Sequence, residues 1–247
     1  VSVLYWSRTT TVLKERAMDE AIQETVLTAE GHKYTGDLRT FDGIAGMVQH
    51  GRGTMDYTTG DRYVGDWRLN KRDGNGTLYY ADGAVYEGEW CEDRRHGCGQ
   101  YTQPDGYSFE GVYRKDEKHG MGVEQLPSGE RYTGAFNRNV RCGRGVRDGA
   151  DGSVYEGVFD AGEPHGQGTL RFSNGDKYEG NFRRGVMHGR GTFTYANEDV
   201  YIGEYKDGVR IGGELTKPDG GVYQAQFDEE GAVTQLVEAT SGVTIAF

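Results

Sequence analysis

Five histidines are the residues whose type and spacing first suggest chemistry. His50, His96, His119, His165 and His188 each precede a Gly-x-Gly sequence. Imidazole nitrogens bind zinc, but a zinc site needs three or four ligands around one centre. Side chains that recur at a fixed spacing in a repeat array form a row instead. We therefore predict that these rings pack against neighbouring units, and we expect neither a metal nor a cofactor.

Other reactive residues also lack the partners that catalysis needs. The cysteines are Cys91, Cys98 and Cys142, an odd number without a CxxC pair, which is typical of a reducing compartment. No Ser, Cys or Thr lies in a recognisable nucleophile motif. The glycines occur as Gly-x-Gly and not as a phosphate-binding loop. The sequence predicts no catalytic residue, so an enzyme with an unrecognised site is only the third functional alternative.

Composition restricts the partners and the kind of core. The net charge of −11 opposes nucleic-acid binding, which needs a basic surface. No run approaches the 18 apolar residues of a membrane-spanning helix. A hydrophobic content of 35% argues against one large core. The 41 glycines lie at fixed offsets, which indicates an architectural role.

The histidines belong to a segment that recurs every 23 residues. Its first part, Tyr86-Glu-Gly88-Glu-Trp90, alternates aromatic residues and glycine with glutamates. This period of two is typical of a half-buried strand with its rings on one face. Equivalent segments begin at Tyr63, Tyr86, Phe109, Tyr132, Tyr155, Tyr178 and Tyr201. A fixed period of this length indicates a repeat array.

The second part of the unit predicts a second strand, with Gly97, Gly99 and Tyr101 on one face. Residues 91–95 join the two strands into an antiparallel hairpin, and Pro104-Asp105-Gly106 supplies the turn to the next unit. We expect aromatic rings to lie flat over glycines of the neighbouring strand. A single hairpin cannot bury two large rings, so stability must come from stacking unit on unit.

These segments resemble the MORN (membrane occupation and recognition nexus) repeat, whose consensus is close to Tyr-Glu-Gly-Glu-Trp, a polar loop and His-Gly-x-Gly. The resemblance covers Tyr34 to about Phe227. It implies an all-β fold, an elongated single-layer solenoid of antiparallel β-hairpins. It also implies a scaffold, a membrane-adjacent adaptor or a cytoskeletal component without an activity of its own.

We expect three segments: an N-terminal arm and helix at 1–33, an array of about eight units at 34–222, and a degenerate repeat with a capping hairpin at 223–247. The unit that begins at Tyr34 is six residues longer than the period, with the extra residues in 39–49. The unit that begins at Tyr201 is one residue short, since the next start is Tyr223. Because a one-residue slip moves side chains to the other face, we expect an irregularity there.

The N-terminal segment departs from the repeat. Residues Thr9–Thr28 predict an amphipathic helix. We favour a cap on the open edge of the first hairpin, with a partner-binding helix as the alternative. Val1–Arg8 is interpreted as an extended arm, with the end of a removed presequence or a docking strand as alternatives. The residues expected to contact another subunit are Val3, Leu4, Tyr5, Trp6, Leu13, Met18 and Ile22.

Two further sets of residues are candidates for binding. One set would line an aromatic groove: Tyr63, Trp67, Tyr86, Trp90, Phe109, Tyr113, Tyr132, Phe136, Tyr155, Phe159, Tyr178 and Phe182. The other would form a basic edge in the hairpin loops: Arg68, Arg72, Arg94, Arg95, Arg138, Arg141, Arg183 and Arg184. We favour ordinary polar loop chemistry as the explanation of this edge. Its functional alternative is a contact with an acidic protein or with anionic lipid headgroups.

The favoured function is a non-catalytic scaffold or adaptor in a large protein assembly, cytoskeletal or ciliary (axonemal), whose partners are other protein subunits. The alternative is a peripheral membrane tether that binds anionic phospholipids through the basic edge. A homodimer is also compatible with the sequence. We expect a cytoplasmic location. An organellar complex stays open because the chain begins with Val and not with Met.

Replacement of Trp90 by Ala is predicted to lower the free energy of unfolding by about 3–5 kcal/mol, because a large buried ring is deleted. Glu89→Ala is predicted to change it by no more than about 0.5 kcal/mol, as for an outward-facing site. Chemical denaturation of both variants checks the assignment. Equal losses would mean that the two faces are reversed.

Overall fold

The computed structural model describes residues 22–228 and 230–246 of the chain. These residues form 20 β-strands and no helix. The chain divides into two compact units, the first reaching Gly120 and the second beginning at Met121. Within each unit, strands that follow one another along the chain pair in the antiparallel sense. The predicted all-β fold of antiparallel hairpins is therefore confirmed.

The strands have alternating lengths. Those up to the division are β1 (Ile22–Leu27), β2 (Lys33–Thr40), β3 (Met47–Asp56), β4 (Arg62–Arg68), β5 (Lys71–Tyr79), β6 (Val85–Cys91), β7 (Arg94–Thr102), β8 (Ser108–Arg114) and β9 (Glu117–Gln125), which contains it. Those that follow are β10 (Arg131–Asn137), β11 (Val140–Asp148), β12 (Val154–Asp160), β13 (Glu163–Arg171), β14 (Lys177–Arg183), β15 (Val186–Thr194), β16 (Val200–Lys206), β17 (Val209–Thr216), β18 (Val222–Phe227), β19 (Val233–Glu238) and β20 (Thr244–Ala246).

The hairpin formed by β6 and β7 shows how the 23-residue period arises. A strand of seven residues, a two-residue turn, a strand of nine residues and a five-residue connection complete one unit. Both turn residues have positive φ, 49° at Glu92 and 67° at Asp93. This is the geometry of a type I′ turn, which matches the twist of paired strands. In the connection, Gly106 adopts a φ of 93°, and the Asp105 carboxylate accepts a hydrogen bond from the Tyr107 N–H.

The second strand of the hairpin is not regular, which corrects the simple alternation expected from the sequence. Gly88 pairs with Gly99 and Trp90 pairs with Arg95, so that His96, Gly97 and Cys98 lie opposite Glu89 alone. This is a β-bulge, and Gly97 adopts a φ of 60° within it. The His-Gly-x-Gly motif therefore encodes a bulge in addition to a strand.

The repeat tyrosine packs across the bulge. A Cβ atom added to Gly99 would lie 2.4 Å from Oη of Tyr86 and 2.7 Å from two of its ring carbons. The Tyr86 hydroxyl donates a hydrogen bond of 3.0 Å to the Glu89 carbonyl. Only glycine leaves room for this ring, as predicted. Equivalent hydroxyl-to-carbonyl bonds are Tyr34–Asp37, Tyr63–Asp66, Tyr132–Ala135, Tyr155–Val158 and Tyr178–Asn181.

The core of each unit is one layer of aromatic rings on one face of the strands. The ring of Tyr86 lies 5.1 Å from Trp90 and 5.3 Å from Tyr113, each at a nearly perpendicular angle. Edge-to-face contacts of this kind add to the area that the rings bury. Tyr86 is completely buried and Trp90 is 5% exposed. Ring contacts link this hairpin to the next, because Trp90 and Tyr113 belong to successive repeats.

The predicted N-terminal capping helix is wrong over its last part. Ile22–Leu27 forms strand β1, which pairs with β2. Val26 lies opposite Tyr34, and both are buried. A strand covers the ring of Tyr34 and also pairs the backbone groups of β2. A helix would cover the ring but leave those backbone groups unpaired. The remainder of the predicted helix and the arm Val1–Arg8 lie outside the described residues.

The bulge absorbs the missing residue of the unit that begins at Tyr201. Gly203 pairs with Gly213 and Tyr205 with Arg210, so the bulge is one residue shorter than elsewhere. The Tyr201 hydroxyl donates instead to the Gly212 carbonyl at 2.7 Å. Leu215 still pairs with Tyr201, so the aromatic face continues without a flip.

Two glycine-to-alanine variants separate steric need from a general preference for glycine. Gly99→Ala is expected to lower the free energy of unfolding by about 1–3 kcal/mol, because the new methyl group overlaps the Tyr86 ring. Gly212→Ala is the control, since a Cβ atom there meets no atom within 4 Å. Urea denaturation measures both. Similar losses in the two variants would contradict the packing account.

Candidate interaction surfaces

The aromatic residues predicted to line a groove form the core. Their exposed fractions lie between 0% and 5%. They are Tyr63, Trp67, Tyr86, Trp90, Phe109, Tyr113, Tyr132, Phe136, Tyr155, Phe159, Tyr178 and Phe182. Their first task is to stabilise the repeats. A contact between these rings and a partner stays a prediction.

Arginines of the predicted basic edge cover these rings. The guanidinium of Arg72 lies 4.2 Å from the Trp90 ring centroid and 5.7 Å from that of Tyr63. Its Nε donates to the Asp93 carboxylate at 3.2 Å, and its backbone N–H donates to the same oxygen at 2.9 Å. Asp93 belongs to the turn of the following hairpin. Arg72 therefore joins two successive repeats, and only 18% of its side chain is exposed.

Two other arginines of this edge have the same structural role. Arg95 repeats the geometry one unit later, with Asp116 as its carboxylate and the Tyr113 ring at 5.0 Å. In the second unit, Arg141 lies 4.8 Å from the Tyr132 ring and bonds to Glu124 at 2.8 Å and to Glu130 at 2.6 Å. Such partly buried cation–ring and ion-pair contacts contribute to stability.

The basic edge consequently divides into two groups. Besides the three arginines that cover rings, Arg183 pairs with Asp207 at 2.8 Å. The other four, Arg68, Arg94, Arg138 and Arg184, are exposed, and none of them forms an ion pair with a residue of the described ranges. Four of the eight arginines predicted for the basic edge are therefore left to bind an anionic partner.

Carboxylates at the bulge are functional groups that the sequence did not reveal. Oε1 of Glu89 accepts a hydrogen bond of 2.7 Å from the Cys98 N–H, which has lost its ladder partner. Asp37 accepts from the Arg52 N–H at 3.0 Å, and Asp66 accepts from the Asn75 N–H at 2.9 Å. The alternation of charge suggested only solvated side chains. The contact raises the expected effect of Glu89→Ala above that of a free surface residue.

Burial raises the pKa of the repeat tyrosines. It moves the pKa of Tyr132, Tyr155 and Tyr201 to about 12. Loss of solvation of the charged phenolate is the first cause in each case. The hydroxyl groups consequently keep their protons at neutral pH and serve as hydrogen-bond donors.

The histidines do not converge. His188 is close to Asp207, whose N–H lies 3.3 Å from Nδ1 of the ring. Among the residues that the structure describes, no group of three or more His, Cys, Asp or Glu side chains is placed to hold a metal ion. The same part of the chain has no helix long and apolar enough to cross a membrane.

The model of the MORN repeat matches seven successive segments, 48–62, 63–85, 86–106, 109–131, 132–154, 155–177 and 178–200. The chain belongs to the MORN-repeat family. Six of the matched segments begin at the residues predicted as repeat starts. MORN repeats are in general non-catalytic modules that bind proteins or membranes. The divergent units at Tyr34 and Tyr201 begin outside the matched segments.

Solved structures with some similarity come from another group of proteins. The TCP10 domain of Danio rerio CPAP, in complex with a peptide of Danio rerio STIL, is 14% identical, with a TM-score of 0.45 over 88% of this chain and 100% of that chain. The SAS-4 (dCPAP) TCP domain of Drosophila melanogaster, in complex with a proline-rich motif of Ana2, is 10% identical, with a TM-score of 0.40 over 80% of this chain and 99% of that chain. No curated protein matches this chain.

The two groups of arginines are expected to respond differently to neutralisation. Arg72→Gln is expected to lower the free energy of unfolding by about 1–3 kcal/mol, because charge-assisted hydrogen bonds and ring contacts are lost. Arg68→Gln, the exposed control, is expected to change it by less than about 0.5 kcal/mol. Thermal and chemical denaturation check both. An unchanged stability in Arg72→Gln would show that Arg72 is a surface residue available to a partner.

Proposed function

We propose that this MORN-repeat chain is a non-catalytic scaffold or adaptor subunit of a large protein assembly, cytoskeletal or ciliary, in the cytoplasm. One observation carries the proposal. The aromatic face of each unit is covered by the chain's own side chains, such as Arg72 and Arg141. The opposite face has no covering layer among the described residues, and Val64 and Ile202 on it are 41% exposed.

A paired sheet face of this kind suits binding to other proteins. Its backbone groups are bonded to neighbouring strands, so the surface is held in place before a partner arrives. Preorganisation reduces the entropy that association costs. The first described strand offers further contact area, because Ile22 of β1 has 42% of its surface exposed.

The membrane-tether alternative receives less support from the geometry. Arg72, Arg95 and Arg141 are held over rings and against carboxylates, and Arg183 pairs with Asp207. The arginines left for lipid headgroups belong to a chain with a net charge of −11. Peripheral binding to anionic lipid usually requires clusters of basic residues.

Deletion of Val1–Arg8 tests the proposed scaffold role at the end of the chain. The arm lies outside the described residues, so its contact with another subunit is part of the proposal. The deletion is expected to leave the Tm of the isolated chain nearly unchanged and to weaken its incorporation into the native complex. Affinity purification from native cells, read by mass spectrometry, measures incorporation.

Two controls accompany this experiment. The full chain is also tested for co-sedimentation with vesicles that contain or lack anionic lipid. Recovery of protein subunits without lipid-dependent sedimentation supports the scaffold. Sedimentation with anionic vesicles and no recovered protein would favour the tether. Melting of the array after the deletion, with normal assembly of the folded fraction, would show that the arm is a cap.

A further inference from the structure

On the face opposite the aromatic rings, the described residues of the first unit form an open trough of about 750 Å³ that crosses strands β1 to β6. One wall is a row of side chains on successive strands, in the order Thr35, Thr54, Val64, Thr77 and Glu87. Methyl groups of threonine and valine make this wall suitable for the aliphatic stems of long cationic side chains.

A row of carboxylates lies beside the trough, two residues further along β2, β4 and β6 and therefore on the same face of the strands. Arg52 lines both the trough and the adjoining depression that contains Asp37 and Asp66. Asp37, Asp66 and Glu89 occupy the same place in three successive repeats, on β2, β4 and β6. Each accepts one backbone N–H of the bulge, at 3.0 Å, 2.9 Å and 2.7 Å respectively. These bonds fix the orientation of the carboxylates while leaving further lone pairs for a partner.

One cation already lies within this row. Nε of Arg52 is 3.3 Å from Oδ1 of Asp66, but 84% of the Arg52 side chain is exposed. An exposed pair of this kind contributes little and can rearrange. Glu87 lines the trough itself and adds a further negative charge there. The surface as a whole is therefore complementary to positive charge.

The spacing of the carboxylates indicates the form of the partner. Neighbouring strands lie roughly 4.8 Å apart, so carboxylates on alternate strands lie about 9.6 Å apart. A polyproline II segment has three residues per turn and rises roughly 3.1 Å per residue, so cations at every third residue recur on one side of it at about 9.3 Å. A β-extended segment would instead point alternate cations away from the surface. The two periods match over the length of the trough.

The second unit does not offer this arrangement. The residues at the equivalent positions are Ala135 and Val158, followed by Asn181 and then Glu204. Two of these four side chains are apolar, and only one is acidic. The charge complementarity is thus confined to the repeats of β2, β4 and β6 in the first unit, since β8 carries Val112 at the equivalent position.

We propose that the trough of the first unit, together with the carboxylate row beside it, binds a partner-protein segment in polyproline II conformation with a Lys or Arg at every third residue. This inference rests on the proposed scaffold function and specifies the chemistry of one contact. The partner chain lies across the strands, its cations reach Asp37, Asp66 and Glu89, and its aliphatic stems contact Val64.

The test uses the full chain and a labelled peptide of repeated Lys-Ser-Ser units. An isomer of the same composition, with its lysines contiguous, is the peptide control. Fluorescence anisotropy at low and physiological ionic strength gives the Kd values. The spaced peptide is expected to bind more tightly than the isomer, and salt is expected to weaken its binding.

Charge-removing variants locate the contact. Asp66→Asn combined with Glu89→Gln keeps the oxygen atoms that accept the backbone N–H groups and is expected to raise the Kd of the spaced peptide roughly tenfold. The matched control is Glu156→Gln combined with Glu204→Gln, which removes the same charge from the second unit and is expected to leave the Kd unchanged.

Equal affinity for the two peptides, or equal effects of the two double variants, would overturn the trough as the binding surface. Either result would leave the scaffold role intact, because that role fails only if no protein partner is recovered from native cells. Tighter binding of the spaced peptide, lost only in the first-unit variant, supports the proposal.

Discussion

The structure depends on the fit of one tyrosine ring over two glycines at a β-bulge. Gly88 and Gly99 face each other, and the ring of Tyr86 fills the space that their missing side chains leave. The bulge leaves the Glu89 carbonyl without its ladder partner, and the Tyr86 hydroxyl bonds to it. An unpaired buried carbonyl would lower the free energy of unfolding by about 1–3 kcal/mol. The bulge therefore requires the tyrosine hydroxyl, and the tyrosine ring requires the glycine pair.

This contact decides which surfaces remain for partners. Because every repeat ring is used in packing, the aromatic face is closed, and arginines such as Arg72 and Arg95 cover it. The same bulge orients Asp66 and Glu89 on the opposite face. One local feature thus builds the core and arranges the polar surface. The side chain that lies at the bulge differs between repeats. This difference distinguishes the polar surface of the first compact unit from that of the second.

Periodicity was sufficient to predict the hairpins, the aromatic face and the ring over glycine, because each follows from alternation. It did not reveal the bulge, since Gly97 and Gly99 also fit a regular strand. The helix expected up to Thr28 failed because Ile22 and Val26, four residues apart, satisfy both a helical and a strand period. The sequence predicts an open basic edge that includes Arg72, because the spacing of charged residues does not show that a guanidinium folds back over a ring.

Alkaline titration of tyrosine absorbance tests the central contact in every repeat that begins with a tyrosine. Burial raises the pKa of eleven of the 16 tyrosines in the described ranges. Unfolded tyrosines ionise near pH 10. The contribution of the buried tyrosines to the free energy of unfolding is therefore complete below that pH. It is lost as the pH rises through about 10 towards 12. We predict that these eleven tyrosines do not ionise near pH 10 and ionise only with unfolding. Ionisation of all tyrosines near pH 10 in a chain that keeps its native circular dichroism would contradict the account.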